Sequence, residues 1–396
     1  MIPRRWTHRG PNEAQAIRQA LKSAMAFDEA QVAAWEEAFA GWLGIPGAAA
    51  VTSGRRGLVL ALEHFGIGSG DEVIVSAYTF GEILAPIQAL GAQPVPADID
   101  PLTLNATPES IAGRITSRTK AILALHVFGS PCDIGAIAQL ARGRGIRLIE
   151  DCAHAVGARV DGQPVGMHGD AAFFSFEMNK HINTYGGGMV VSDNCALLDK
   201  IREANRREPL HYVSFKRKMR TVQMENLLFY SRLAYPFLYL LATPGWKDKV
   251  QKFYRRIQDT HRSHERYSPV QAALGISRLA GLEERVRMRR ERAKEFIALA
   301  GDAVQPQQVL PGAESSYYFL IAILPSLAAS IRKRLIWKGV DAGVEHEVMD
   351  DCAAILGYDD CPNVREIYQR AMALPMYDGM TEQKMRRVAR ALKSVL

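Results

Sequence analysis

An α/β fold with a mostly parallel sheet is predicted by three features of this 396-residue chain. Between residues 48 and 191 short apolar runs alternate with amphipathic stretches, the rhythm of β-α-β units. The residues best suited to chemistry there, Asp151, Ser175 and Lys180, fall at the ends of predicted strands, where open parallel sheets gather their ligands. Size and composition agree: 48% hydrophobic and 23% charged residues are an ordinary globular balance, and the length allows two domains with substantial cores.

The elements follow in order. Residues 12 to 43 read as two helices, the second being EAQVAAWEEAFAGWLG, with apolar residues on one face and Gly44 as its stop. AAAVTSGRRGLVLALEHFGI gives a short strand, a turn at Ser53-Gly54 and a helix starting near Arg55. A helix N-terminus after such a turn presents free N–H groups that suit a phosphate, although an ordinary strand-to-helix connection looks the same. Residues 71 to 100 alternate strand, helix and strand, with Phe80 just beyond a strand end. An aromatic there either stacks on a flat heterocycle or is plain core. KAILALHVFGSPCDIGAIAQLARGRGIRLIEDCAHAVGA supplies two more strands around a helix, and Asp151 closes the second. Its carboxylate fits a protonated heterocyclic nitrogen, or it caps the next helix. His126 reads as structural.

In AAFFSFEMNKHINTYGGGMVV, residues 171 to 191, a lone lysine sits in a turn between two buried strands. Either its stem snorkels to water or its amine is used. Together with IEDCAHAVGA, this stretch resembles the DegT/DnrJ/EryC1/StrS family of sugar aminotransferases, whose members carry Glu-Asp then Ala-His or Ala-Gln, and later Ser-Phe-x-x-x-Lys followed by Gly-Glu-Gly-Gly. The matching residues are Asp151, His154, Ser175 and Lys180. The resemblance implies a fold type I enzyme with pyridoxal 5'-phosphate held as a Schiff base on Lys180. It further implies Asp151 at the pyridine nitrogen, His154 at the phenolic oxygen, Phe80 against the ring, Gly54, Arg55 and Arg56 near the phosphate, and Ser175 among the residues that bind the cofactor. Arg55 and Arg56 stand where the family has Thr-Ala, so a threonine hydroxyl is lost there. A homodimer with composite active sites is implied as well, because Arg266 and His264 match the segment that members lend to their partner; the family's residue at 264 is asparagine.

Two departures stand out. The family's Gly-Glu-Gly-Gly becomes Tyr185-Gly186-Gly187-Gly188, and a segment over residues 208–263 is added. In it, basic FKRKMR (215–220) and WKDKVQKFYRR (246–256) flank the apolar run LLFYSRLAYPFLYLLA (227–242). That run is too short and too interrupted by Arg232 and Pro236 to span a bilayer core needing roughly 20 residues. It reads as an interfacial helix pair on a membrane surface, or as an arm against the partner subunit.

Beyond Leu282 a charged helix leads into YYFLIAIL, a strand, then a helix near 327–338 and a close that resembles the family's ending. The expected division is a large cofactor-binding domain over 1–283 and a small α/β domain over 284–396. His346 stands either at a substrate position of the family or in a surface loop.

The net charge of +7, from 49 Lys and Arg against 42 Asp and Glu, suits an anionic partner without choosing one. Basic residues that flank an apolar run instead of alternating with stacking aromatics point away from nucleic acid. Five widely spaced cysteines without a C-x-x-C pair suggest neither a disulfide framework nor a zinc site and fit a reducing cytoplasm, and the N-terminus lacks the apolar run of a secretory signal. The expected function is transfer of an amino group, with glutamate as the expected donor, to a ketone on a nucleotide-linked sugar or a membrane-resident lipid. The rivals are a sugar dehydratase, which carries histidine in place of the lysine, and a non-catalytic membrane-bound regulator that kept the fold.

Overall fold

The computed structural model describes residues 2–4, 18, 29–210, 215–221, 224 and 265–396. Strands β1 (Ala48–Val51), β2 (Glu72–Ser76), β3 (Gln93–Ala97), β4 (Thr119–Leu125), β5 (Arg147–Asp151), β6 (Ala171–Ser175) and β7 (Gly188–Val191) form one sheet in the order β1-β7-β6-β5-β4-β2-β3. Only β7 runs against its neighbours β1 and β6; the other pairings are parallel. Nearly every strand residue is buried, as expected when helices cover both faces.

Adjacent residues of a strand feed opposite faces. Phe173 packs with Leu58, Leu62, Val75 and Val190 under the helices Gly54–His64 and Cys195–Arg207. Phe174 packs instead with Trp35 and Phe39 of the helix Ala30–Leu43. That helix ends at Gly44, with φ of 81°, as the sequence predicts. It is tied to the sheet by buried Glu36, which accepts from Ala50 N and Arg202 Nε, both at 2.8 Å. The helix expected from residue 12 lies outside the described residues apart from Arg18.

The C-terminal part builds a second, antiparallel sheet from β8 (Gln305–Pro306), β9 (Leu320–Ile323), β10 (Gly343–Val344) and β11 (Ala371–Leu374), in the order β8-β9-β11-β10. It has its own core, including Phe296, Leu335, Met372 and Leu392. Ile2 joins this core, its N–H donating to Gly339 O at 2.8 Å. The 19-residue helix Leu282–Ala300 serves both parts: Leu282 and Val286 pack with Trp35, while Ala293, Phe296 and Ala300 pack with the C-terminal sheet. The expected division at 283/284 falls within this helix.

One expectation is corrected. Of YYFLIAIL only Leu320–Ile323 is strand; Tyr317 takes a φ of 48° and breaks the extended run just before it. Among the described residues no helix is long and apolar enough to cross a membrane. The 227–242 run lies outside them.

Candidate active site

Register brings the predicted residues to one edge of the large sheet. Val51 at the end of β1 lies opposite Gly188, and Gly188 lies opposite Ser175 at the end of β6. Asp151 pairs with Phe173 on one side and with Leu125 on the other. The Ser53–Gly54 turn, Ser175 and Asp151 therefore leave the sheet side by side. Gly188 is the tight point: a Cβ there would lie 2.4 Å from Phe174 O and 2.9 Å from Gly54 N, so only glycine lets β7 pass under the helix start.

Lys180 sits in the loop that joins β6 to β7. Its N–H donates to Glu177 O at 3.0 Å, and the loop is closed by Phe176 N to Gly187 O and Thr184 N to Phe176 O, both 3.0 Å. The Lys180 ammonium lies 4.6 Å from the ring centre of Tyr318 and 6.0 Å from that of Phe80. Low-dielectric surroundings press Lys180 down to about 8, against the pull of the Asp151 and Glu177 carboxylates. Burial likewise pushes Asp151 up to about 6, against the Ala153 N–H, which donates to Oδ1 at 2.9 Å, and against Lys180. Near neutral pH both groups still carry mostly their usual charges, but each lies close enough to its midpoint to exchange a proton.

His154 is almost fully buried among aromatic rings. It stacks on Tyr318 at 4.2 Å between centroids, parallels Phe128 at 6.1 Å, and meets Phe80 edge-on at 5.3 Å. Neither ring nitrogen has a hydrogen-bond partner among the described residues. Burial, with Lys180 and His181 adding to it, holds its imidazole well below the usual histidine range. A neutral buried imidazole without partners asks for a ligand that brings a hydrogen-bonding group.

The other predicted residues divide. Gly54 opens the helix Gly54–His64, and Ser53 caps it by accepting from Arg56 N at 3.2 Å. The Arg55 guanidinium pairs with Glu82, so what Arg55 offers at the helix start is its backbone N–H, while that of Arg56 is taken by Ser53. Phe80 is 37% exposed, which sets it apart from the core phenylalanines. His264 lies outside the described residues, whereas Arg266 pairs with Glu29. His346 lies in the turn Glu345–Glu347. His126 is fully buried and bonds Glu150 at 3.1 Å. Glu150 also accepts from Gly166 N, His168 N and Gly169 N. These bonds fix the loop behind Asp151, which explains His126 as structure. His126, Glu150 and Cys152 offer ligand atoms within 4.8 Å of one another, but the carboxylate is already saturated by those donors.

Sequence reasoning missed Tyr318, which covers both Lys180 and His154. It also missed Ser316, whose hydroxyl donates to His154 O and meets His181 Nε2, each at 3.2 Å. The available signal was the Tyr317-Tyr318 pair set just ahead of a strand.

Comparison with known proteins agrees with this fold. The spore coat polysaccharide biosynthesis protein SpsC of Bacillus subtilis (strain 168) is 29% identical, over 98% of this chain and 95% of its own. The aminotransferase TlmJ from Streptoalloteichus hindustanus superposes with a TM-score of 0.80 at 25% identity, covering 100% of this chain and 98% of its own. The 3-amino-5-hydroxybenzoic acid synthase structure gives 0.74 at 27%, covering 99% and 98%. The sequence model of one family spans residues 8–393, taking in every site residue described above. The chain belongs to the DegT/DnrJ/EryC1/StrS aminotransferase family.

Proposed function

We propose that this enzyme transfers an amino group from an amino-acid donor, glutamate, to a ketone carried by a nucleotide-linked sugar or by a membrane-resident lipid, with Lys180 as the residue that holds the cofactor. Aminotransferases of this family depend on pyridoxal phosphate. The residues at the sheet edge fit that group: buried His154 has two nitrogens without a partner among the described residues, and a carboxylate and a lysine with shifted acidities lie at the same edge. When bound, the cofactor supplies an electron sink for the bond-breaking at the substrate carbon.

The chain's residues supply the rest. Asp151 would accept the pyridine N–H as a charge-assisted bond, which keeps that nitrogen protonated. His154 would donate to the phenolic oxygen, and Phe80 would lie against the ring. Ser175, the backbone N–H groups of Gly54 and Arg55, and the guanidinium of Arg56 would take the phosphate at the positive end of their helix. Lys180 Nζ, freed by the incoming amine, would carry the proton from the substrate carbon as base and return it as acid. The single observation that carries this reading is geometric: the loop between β6 and β7 brings Lys180 to the sheet edge where Asp151 ends β5, its ammonium 4.6 Å from the ring of Tyr318, on which His154 stacks.

The name of SpsC, which speaks of polysaccharide biosynthesis, supports a sugar acceptor. The added segment supports the lipid alternative and peripheral membrane contact at the cytoplasmic face: Lys216, Arg217 and Arg220 are exposed while Phe215 is buried, so this part turns a basic face outward. We take the division at 283/284 as functional, with the small domain supplying Tyr318, and we propose a homodimer in which His264 and Arg266 serve the partner's site.

The reading is tested with purified protein. The wild type should carry the absorbance of a lysine-bound cofactor and convert keto sugars in an amine-acceptor screen; Lys180→Ala should lose that band on dialysis and all transfer. Cofactor that stays covalently reducible in Lys180→Ala would sink it, and a wild type without cofactor would favour the non-catalytic regulator. Sedimentation with anionic liposomes separates a membrane-bound enzyme from one whose added arm only joins subunits.

A further inference from the structure

The two places where this sequence departs from its family meet in space. Tyr185 and Gly186 stand where members carry Gly-Glu, and residues 208–263 are added. The helical stretch 215–221 of that addition lies against the far end of the Lys180 loop. Phe215 meets Tyr185 edge-on, with 5.6 Å between centroids and 86° between planes. Met219 and Met178 close the same cluster over Val270 and Leu274. Lys218 Nζ donates to Glu177 Oε1 at 2.9 Å, and both side chains are largely covered, 15% and 27% exposed.

Glu177 is the residue whose carbonyl oxygen accepts from Lys180 N, so this ion pair is fastened to the turn that presents Lys180. The space for it exists because position 186 is glycine. Its φ is +124°, and a Cβ there would lie 2.8 Å from Lys218 Nζ. Where the family carries a glutamate side chain, this protein has the lysine of its own added segment, answered by a carboxylate one turn from the cofactor lysine.

We propose that the 215–221 helix is a clamp on the Lys180 loop, with Lys218 a positioning residue that acts on Lys180 through Glu177. The inference rests on Lys180 being the cofactor lysine. It explains why a bulky phenol at 185 is tolerated: the ring is the clamp's apolar seat. It also ties whatever the rest of the addition binds to the geometry of the active site.

Electrostatics make the clamp testable. Lys180 is faced by the carboxylates of Asp151 and Glu177 and by the imidazoles of His154 and His181; Lys218 offsets Glu177. Removing Lys218 takes a positive charge away from Glu177 and favours a protonated nitrogen at Lys180, whereas removing Glu177 leaves the Lys218 ammonium and disfavours it. The experiment uses the full-length holoenzyme and reads the pH midpoint of the absorbance change of the lysine-bound cofactor, with thermal midpoints alongside. Lys218→Met should move the pH midpoint up and Glu177→Gln should move it down, each by about half a pH unit or more. The double variant should fall between them, and Lys218→Arg should keep the wild-type value. Midpoints that stay together while the thermal midpoints fall would overturn the proposal and leave a merely structural contact. Absence of the absorbance band in wild type would instead defeat the underlying assignment of Lys180, so the two failures are distinguishable.

Discussion

The strand that enters the Lys180 loop and the strand that leaves it are held by different means. On the entering side, β6 is fixed by its own sequence: AAFFS alternates Phe173 and Phe174 between two cores, and its neighbours follow from β-α-β order. On the leaving side, residues 184 to 188 are held by groups from far along the chain. Tyr267 fills the space beside Gly187 and bonds Thr184 Oγ1 at 3.3 Å. Gln271 donates to Gly186 O at 3.1 Å, and Phe215 covers Tyr185. The entering side sets where the lysine is, and the leaving side sets how it is held.

Four substitutions break or sharpen that contrast, from large effect to small. Phe174→Ala should strike the entering side hardest, costing about 3–5 kcal/mol in denaturant unfolding because a fully buried ring is replaced by a cavity. A loss below about 1 kcal/mol would mean that β6 is not the rigid side.

Asp151→Asn probes what the chemistry costs on that same side. The carboxyl titrates in the cofactor-free fold at about 6, above its unfolded value, so the native state favours the protonated acid. Its stabilising contribution is complete below the unfolded value near 4 and is lost as pH rises through about 6. The cofactor-free Asn variant should therefore match wild type at pH 4 and exceed it by about 2–3 kcal/mol above pH 7, while transfer by the holoenzyme falls. Equal unfolding curves at both pH values would show that Asp151 is not destabilised by burial.

Tyr185→Gly reverts the leaving side to the family pattern. It relieves a φ of 59°, worth about 1 kcal/mol, but removes a buried ring that seats Phe215, so a net loss of about 2 kcal/mol is expected. The same variant should expose the 215–221 helix to limited proteolysis. A gain in stability would remove the clamp's apolar seat from consideration. The smallest effect belongs to Arg55→Ala: with the guanidinium engaged by Glu82, cofactor affinity should stay within about twofold, the scale of a surface ion pair. A tenfold loss would place that guanidinium at the phosphate.

Much of the entering side was legible in the sequence, because strand alternation and strand-end residues are local patterns. Asp151, Ser175 and the Lys180 turn are positioned by register between neighbouring strands, which the order of elements already implies. Tyr318 was not legible as a site residue. Its neighbours Leu320–Ile323 look like a strand that should begin earlier, and only the positive φ at Tyr317 turns the aromatic toward Lys180. Lys218 was hidden for a related reason: a basic hexapeptide reads as a solvated face, and its pairing with Glu177 spans 41 residues.

The long helix that joins the two cores has a mechanical consequence. Its root is set beside the sheet that carries the lysine, where Val286 lies under Gly157. From that root Arg289 holds the carbonyls of Tyr317 and Tyr318, and Arg290 holds those of Ser315 and Gly157. The same Arg289 donates to Met376 O at 3.2 Å and pairs with Asp378 at 3.4 Å, in the part whose core takes in the helix from Ala293 onward. The ring over Lys180 is therefore coupled to both ends of this shaft-like helix: a shift of the C-terminal sheet reaches Tyr318, and through it Lys180, by way of one guanidinium.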